Sequence, residues 1–168
     1  KLPSKKLILP LFIFSITMGI GVYVTLYFAL DITSLLSPII IGTQLTVPFG
    51  LILSFIFLNE KISLKKCLLI FFAFVGIVIV AYDPRIRDEW IALLIISLMA
   101  FFYALANMLS RVLKDVDAIS QIGWHSLISC VPLFIISYMI EGNPIEILFP
   151  MSFTTLFIIL HASIIVSL

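Results

Sequence analysis

Six stretches of the chain carry no Asp, Glu, Lys or Arg: residues 7–30, 32–59, 67–82, 90–110, 118–140 and 147–168. A bilayer core of roughly 30 Å is crossed by about 20 helical residues, each rising about 1.5 Å. The stretches therefore predict six membrane-spanning helices. Strands with open edges are excluded, because their unpaired backbone groups would face lipid.

Polar residues at the margins sharpen the boundaries. Ser63 suits the N-cap of the third helix, and Lys65 and Lys66 can extend their ammonium groups outward from its first turn, so the usable length becomes 63–82. Ser37 followed by Pro38 predicts a cap and first helical residue, placing the second helix over 38–58. Asp117 is a comparable cap for the fifth, and Pro84 closes the third. Inside the second helix, Pro48 has no N–H to offer the Gln44 carbonyl, which predicts a freed backbone acceptor in mid-span.

Composition agrees with a lipid solvent. The chain is 62% hydrophobic and 11% charged, with a mean hydropathy of +1.28, more apolar side chain than one soluble core of this size can hide. A formal net charge of +1 leaves no basic stripe for nucleic acid. The placement of charge is more telling. Of 10 basic residues, Lys1, Lys5, Lys6, Lys61, Lys65, Lys66, Arg111 and Lys114 flank one set of alternate connections, and Arg85 and Arg87 the other. The positive-inside rule then puts the loops 59–66 and 111–117 in the cytoplasm. Tyr27, Tyr82 and Trp90 fall near the outer face, as interfacial aromatic anchors do.

Cys67 and Cys130 lie in or at the edge of apolar stretches and suggest no disulfide framework. The run after Lys6 is too long for a cleavable leader. A first residue other than Met and a final apolar run without a polar flank suggest a fragment of a longer chain. The connections are short, so activity is expected within the membrane.

No acid or base sits in the middle of a span, where ion pumps and proton relays usually carry one. Neutral polar and small residues recur at helical spacing instead. Ser97, Ala100, Ala104, Asn107 and Arg111 form one seam, and Gln121, His125, Ser129 and Pro132 another, beside Trp124. Thr43, Thr46, Gly50 and Ser54 share a face, as do Ser15, Gly19, Tyr23 and Tyr27. Each seam is compatible with close helix packing or with lining a solute path. His125 and His161 are compatible with proton coupling or with hydrogen-bonded packing. The third span, nearly devoid of polar groups, reads as peripheral. Nucleophile elbows, zinc-protease motifs, paired intramembrane aspartates and phosphate loops are missing, and two histidines without nearby acids make a poor metal site, so no catalytic residue, cofactor or metal is expected.

The stretch 32–84, with its proline-containing helix, the closing LNEKI before SLKK and the following AFVGIVIV, resembles the EamA-type half of the drug/metabolite transporter superfamily. IALLIISLMAFFYALANMLSRVL, ending in an A-N-x-x-x-R pattern, looks like the first helix of that family's second half. The Gln44 region, Asn107 and the QIGW run ending at Trp124 look most like amino-acid-metabolite efflux pumps. The resemblance implies an all-α transporter of ten helices in two inverted five-helix repeats, with 1–84 holding helices three to five of the first repeat and 85–168 helices six to eight of the second.

The expected function is export of small metabolites, such as amino acids or their derivatives, across the inner (plasma) membrane by alternating access. A ligand would be held by hydrogen bonds from Thr43, Gln44, Asn107 and Gln121 and by contact with Tyr23 or Trp124. The lack of buried charge suits an uncharged or zwitterionic solute. Expected partners are that solute and the lipid bilayer, with a homodimer left open. A non-transporting membrane assembly subunit, and an intramembrane enzyme using His125 or His161, remain alternatives.

Overall fold

The structure is a computed structural model and describes residues 5–59, 61, 63–82, 89–143, 146 and 151–167. Its regular elements among the described residues are all helical: α1 (Lys5–Ile16), a π-helical segment (Thr17–Val24), α2 (Thr25–Ile32), α3 (Leu36–Thr43), α4 (Thr46–Leu58), α5 (Leu64–Ala81), α6 (Trp90–Val112), α7 (Ala118–Glu141) and α8 (Phe153–Ser167). Among the described residues four helices are long and apolar enough to cross a membrane: Lys6–Ile32, which joins α1, the π segment and α2, then Leu36–Leu58, Trp90–Val112 and Ala118–Glu141. The other two expected spans are helical as well, 18 residues in α5 and 15 in α8.

The helix ends follow local chemistry. Ser63 Oγ accepts the Lys66 N–H at 3.4 Å, and Asp117 Oδ2 accepts the Ser120 N–H at 3.0 Å, so both expected caps are made. The backbone N–H and hydroxyl of Ser120 hold the Asp117 carboxyl below its ordinary range. Asn59 closes α4 in the left-handed conformation, φ 51°, with its N–H on the Ser54 carbonyl. The second span starts earlier than expected: Leu35 is the extended cap, and Ser37 and Pro38 lie inside the first turn of α3. Pro38 fits there because the first N–H groups of a helix have no partner within it. The expected stop at Pro84 and the charges of Arg85 and Arg87 lie outside the described residues.

The chain divides into two compact units, residues 1–133 and 134–168. In the first, α6 is the hub, packing against α1, the π segment, α2, α3 and α4. Its buried face is made of Ala92, Ile96, Met99, Ala100, Ala104, Ala106 and Met108. Small residues on this face let neighbouring backbones approach closely, so that dispersion between fitted surfaces holds the helices together. Val22, Ala29, Ile39, Ile96 and Met99 form one core cluster, and Leu53, Ala104 and Met108 another. Phe49 meets Phe101 and Phe74 edge-on, with centroids 5.7 and 6.0 Å away, which ties α5 to α4 and α6.

Two polar contacts fix the direction of these helices. Glu89, at the start of α6, accepts the backbone N–H of Ser34 at 3.1 Å and its hydroxyl as well. Those bonds, with one from Thr33, hold the Glu89 carboxyl below its ordinary range. Near the opposite end, Arg111 Nη1 donates to the buried Ser54 Oγ at 3.3 Å. The second span therefore runs parallel to α6, so Lys61 and the first turn of α5, with Lys65 and Lys66, lie at the same end as Arg111 and Lys114. Asp31 and Glu89 belong to the other end.

The second unit holds the remainder of α7 and α8. Ser137 donates to Glu141 at 2.7 Å, and Ser152 Oγ caps α8 by accepting the Thr155 N–H at 3.2 Å. Phe157 and His161 stack with centroids 6.0 Å apart.

Candidate functional site

The first candidate region is the interruption of the second span. Pro48 cannot donate to the Gln44 carbonyl, and its ring crowds that carbonyl, so a regular helix cannot pass through. The break falls one turn earlier, at Gln44 and Leu45, between α3 and α4. There the backbone tightens: Gln44 N–H bonds the Ile41 carbonyl and Leu45 N–H the Gly42 carbonyl, both at 3.1 Å. These three-residue steps are the narrower 3₁₀ pattern.

The expected freed acceptor is not found. The Gln44 carbonyl takes the Val47 N–H at 3.2 Å. That shift leaves the Thr43 carbonyl without its usual helical donor, and the Thr46 hydroxyl fills the gap at 2.7 Å. The Thr43 hydroxyl donates to the Ile40 carbonyl, also at 2.7 Å. Pro48 itself is fully buried, Thr43 is half-buried and the Gln44 side chain is exposed. The break is thus self-satisfied in its backbone and presents one amide outward.

The second region is where the first span meets α7. The π segment was not foreseen by the spacing of Ser15, Gly19, Tyr23 and Tyr27, which assumes α-helical turns. A π turn takes in nearly one residue more than an α turn, yet Ser15, Gly19 and Tyr23 still share the side that meets α7. The widened stretch contains Gly19 and Gly21, and a Cβ on either would collide with Ser129 or Phe102, respectively. The Thr25 hydroxyl closes the segment by donating to the Gly21 carbonyl and, at 3.2 Å, to the Val22 carbonyl.

Because Gly19 has no side chain, Ser129 of α7 reaches the backbone of the first span. Its hydroxyl oxygen lies 2.9 Å from the buried Ser15 carbonyl and 3.1 Å from His125 Nδ1. The Ser15 carbonyl also lies against the imidazole, while the Ser15 hydroxyl is spent on Leu11 at 2.8 Å. The His125 ring meets Phe14 edge-on at 5.7 Å and lies tilted to Tyr23 at 6.3 Å. His125, Tyr23 and Phe14 are all half-buried. Phe14 carries no polar atom and sits at no notable spacing, so sequence reasoning passed over it; its neighbour Ser15 was the available clue.

The other expected ligand residues are dispersed. Gln121 is engaged in the α6–α7 connection, where its amide donates to the carbonyls of Leu113 and Val116 at 2.9 and 3.1 Å. Its oxygen accepts the Ser110 hydroxyl at 3.1 Å. Asn107 is exposed, and no side-chain hydrogen bond ties it to a neighbouring helix among the described residues. Trp124 is half-buried one residue from His125. His161 lies in the second unit, exposed, against Phe157. The seam 97, 100, 104, 107, 111 is split: Ala100 and Ala104 are buried in packing, whereas Asn107 and Arg111 are exposed. The structure thus brings together Tyr23 and His125, and keeps Thr43 and Gln44 together at the helix break.

Among the described residues, no group of His, Cys, Asp and Glu could hold a metal ion. Comparison with known proteins returned no matching family, no matching curated protein and no matching solved structure.

Proposed function

We propose that the chain is part of a multi-pass transporter of the inner (plasma) membrane, exporting small metabolites such as amino acids or their derivatives by alternating access. The observation that carries this reading is the interrupted second span, packed on the hub helix α6, with the Gln44 amide outside the closed backbone bonds. Discontinuous helices in a membrane are the usual places where polar solutes are held, because irregular backbone is tolerated there only beside protein or a watery cavity. The resemblance of 32–84 to EamA-type repeats supports the same reading, with 1–84 and 85–168 as portions of two inverted repeats in a ten-helix protein.

On this reading Gln44 and Thr43 form one contact group and Tyr23, Trp124 and His125 another. Asn107 is a further outward amide, and Gln121 serves first to hold the α6–α7 connection and contributes to binding through that position. His125 is the stronger candidate for proton coupling, and His161 the second.

A rival reading is favoured by a specific observation: no buried side-chain nitrogen or oxygen among the described residues lacks a partner. Polar seams that satisfy one another are what a non-transporting assembly subunit needs. Reconstitution of the intact protein in vesicles separates the two. Transport predicts solute flux that falls in Gln44→Ala, whereas an assembly subunit predicts none in either protein. Unchanged flux in folded Gln44→Ala and Asn107→Ala would remove both residues from the site.

A further inference from the structure

Ser129 has one hydroxyl proton and two neighbours that compete for it, the Ser15 carbonyl at 2.9 Å and His125 Nδ1 at 3.1 Å. A carbonyl can only accept, whereas a neutral imidazole nitrogen either donates or accepts according to tautomer. Both contacts are made if Nδ1 carries the ring proton and donates to Ser129 Oγ, while Ser129 donates to Ser15. In that tautomer Nε2 bears the lone pair. No hydrogen bond to Nε2 is found among the described residues, and none of their wholly buried polar side-chain atoms lacks a partner, so Nε2 of the half-buried ring keeps some exposure.

Building on the transport reading above, we propose that His125 Nε2 is a binding site for the N–H donor of a small organic amine, with the rings of Phe14 and Tyr23 as its walls. Three features converge. The relay from His125 through Ser129 to Ser15 spans α7 and the first span, so it fixes the imidazole against both. The aromatic neighbours, Phe14 edge-on at 5.7 Å and Tyr23 tilted at 6.3 Å, place π systems beside the imidazole, where an ammonium group or its aryl substituent would be attracted. Among the described residues no charged side chain is found against His125: the titratable neighbour is the Tyr23 phenol, with Tyr103 and Tyr27 beside it. A proton taken up at Nε2 turns the acceptor into a donor and adds a positive charge. Proton and amine therefore exclude one another at this atom, a competition that would couple outward amine movement to inward proton movement.

The test uses the intact protein in phospholipid nanodiscs, labelled with ¹⁵N-histidine, His161 being assigned with His161→Gln. Two-bond proton–nitrogen correlations report which nitrogen is protonated. The expected result at about pH 8, above the ordinary histidine value of about 6.5, is a protonated Nδ1 and a bare Nε2. Titration with 2-phenylethylamine should then shift Nε2, and binding should be lost at whatever acid pH the same spectra show Nε2 protonated. His125→Asn keeps an N–H at the Nδ1 position and removes Nε2, so it should retain the fold and lose binding. His125→Gln, with a non-titrating oxygen available as acceptor, should bind without pH dependence. An Nε2–H tautomer, an unshifted Nε2, or equal binding of 2-phenylethyltrimethylammonium, which has no N–H, would overturn the proposal. Flux of other solutes would still stand if the tautomer failed, and a bare Nε2 that binds amine without flux would instead refute transport.

Discussion

The helices α6 and α7 are nearly equal in length, 23 and 24 residues, and both are apolar enough to cross a membrane. Their surroundings differ. α6 buries a face of seven residues, five of them Ala or Ile, while α7 buries Ser129 alone among its described residues. Hydropathy ranks α6 above α7 but does not say how closely the neighbouring helices pack on either. The difference lies in size and spacing: α6 repeats small residues on one face so that neighbouring backbones approach, whereas α7 approaches at one point, where Gly19 makes room for Ser129. Packing in lipid is decided by such close fits rather than by apolar area.

The contrast makes unequal demands on similar substitutions. Ile96 is completely buried between α3 and the first span, against Gly42. Ile96→Ala should lower stability by about 2–5 kcal/mol, measured by denaturant titration in detergent micelles, whereas Ile122→Ala on the exposed side of α7 should stay within about 0.5 kcal/mol. Equal losses would erase the distinction between hub and periphery. Gly19→Ala should cost about 1–3 kcal/mol by overpacking. Combining it with Ser129→Gly should recover part of that cost, and strict additivity would show that the two positions do not touch. Ser54→Ala removes the Arg111 contact and should cost about 0.5–1.5 kcal/mol.

The smallest effect is electrostatic. Glu89 and Asp117 are both held below their ordinary range in the folded protein by hydrogen bonds, so the unfolded chain binds more protons at mildly acid pH. The stability they confer is present above the unfolded carboxyl value, about 4, and is lost as pH falls through the lower folded values. Glu89→Gln should flatten the acid side of a stability–pH profile slightly, and an unchanged profile would show that the Ser34 contact carries no linkage.

Much of the architecture was legible before any coordinates. Charge-free stretches marked the helices, Ser63 and Asp117 announced their caps, and Pro48 announced a break in the second span. The helix breaks at the Gln44 that this proline points to, but the Gln44 carbonyl is not left free, because the Val47 N–H takes it and the Thr46 hydroxyl takes the Thr43 carbonyl in turn. The π segment left no signature, since α-helical and π-helical turns have the same composition and differ in which carbonyl each N–H finds. The candidate site was half legible for a related reason. Polar residue types flagged Tyr23, Gln44 and His125, but spacing along one helix cannot reveal that Gln121 turns back on its own loop or that Asn107 faces outward. Those outcomes depend on which helix comes alongside.

The central claim is directional: the second span and α6 run parallel, so Lys61 lies at the Arg111 end and Asp31 at the Glu89 end. Replacing Cys67 and Cys130 with Ala and placing single cysteines at Lys61 or Asp31 allows labelling of intact vesicles with an impermeant maleimide. Labelling of the two reporters from opposite compartments is the predicted result. Labelling of both from the same side would contradict the arrangement and, with it, the transporter reading.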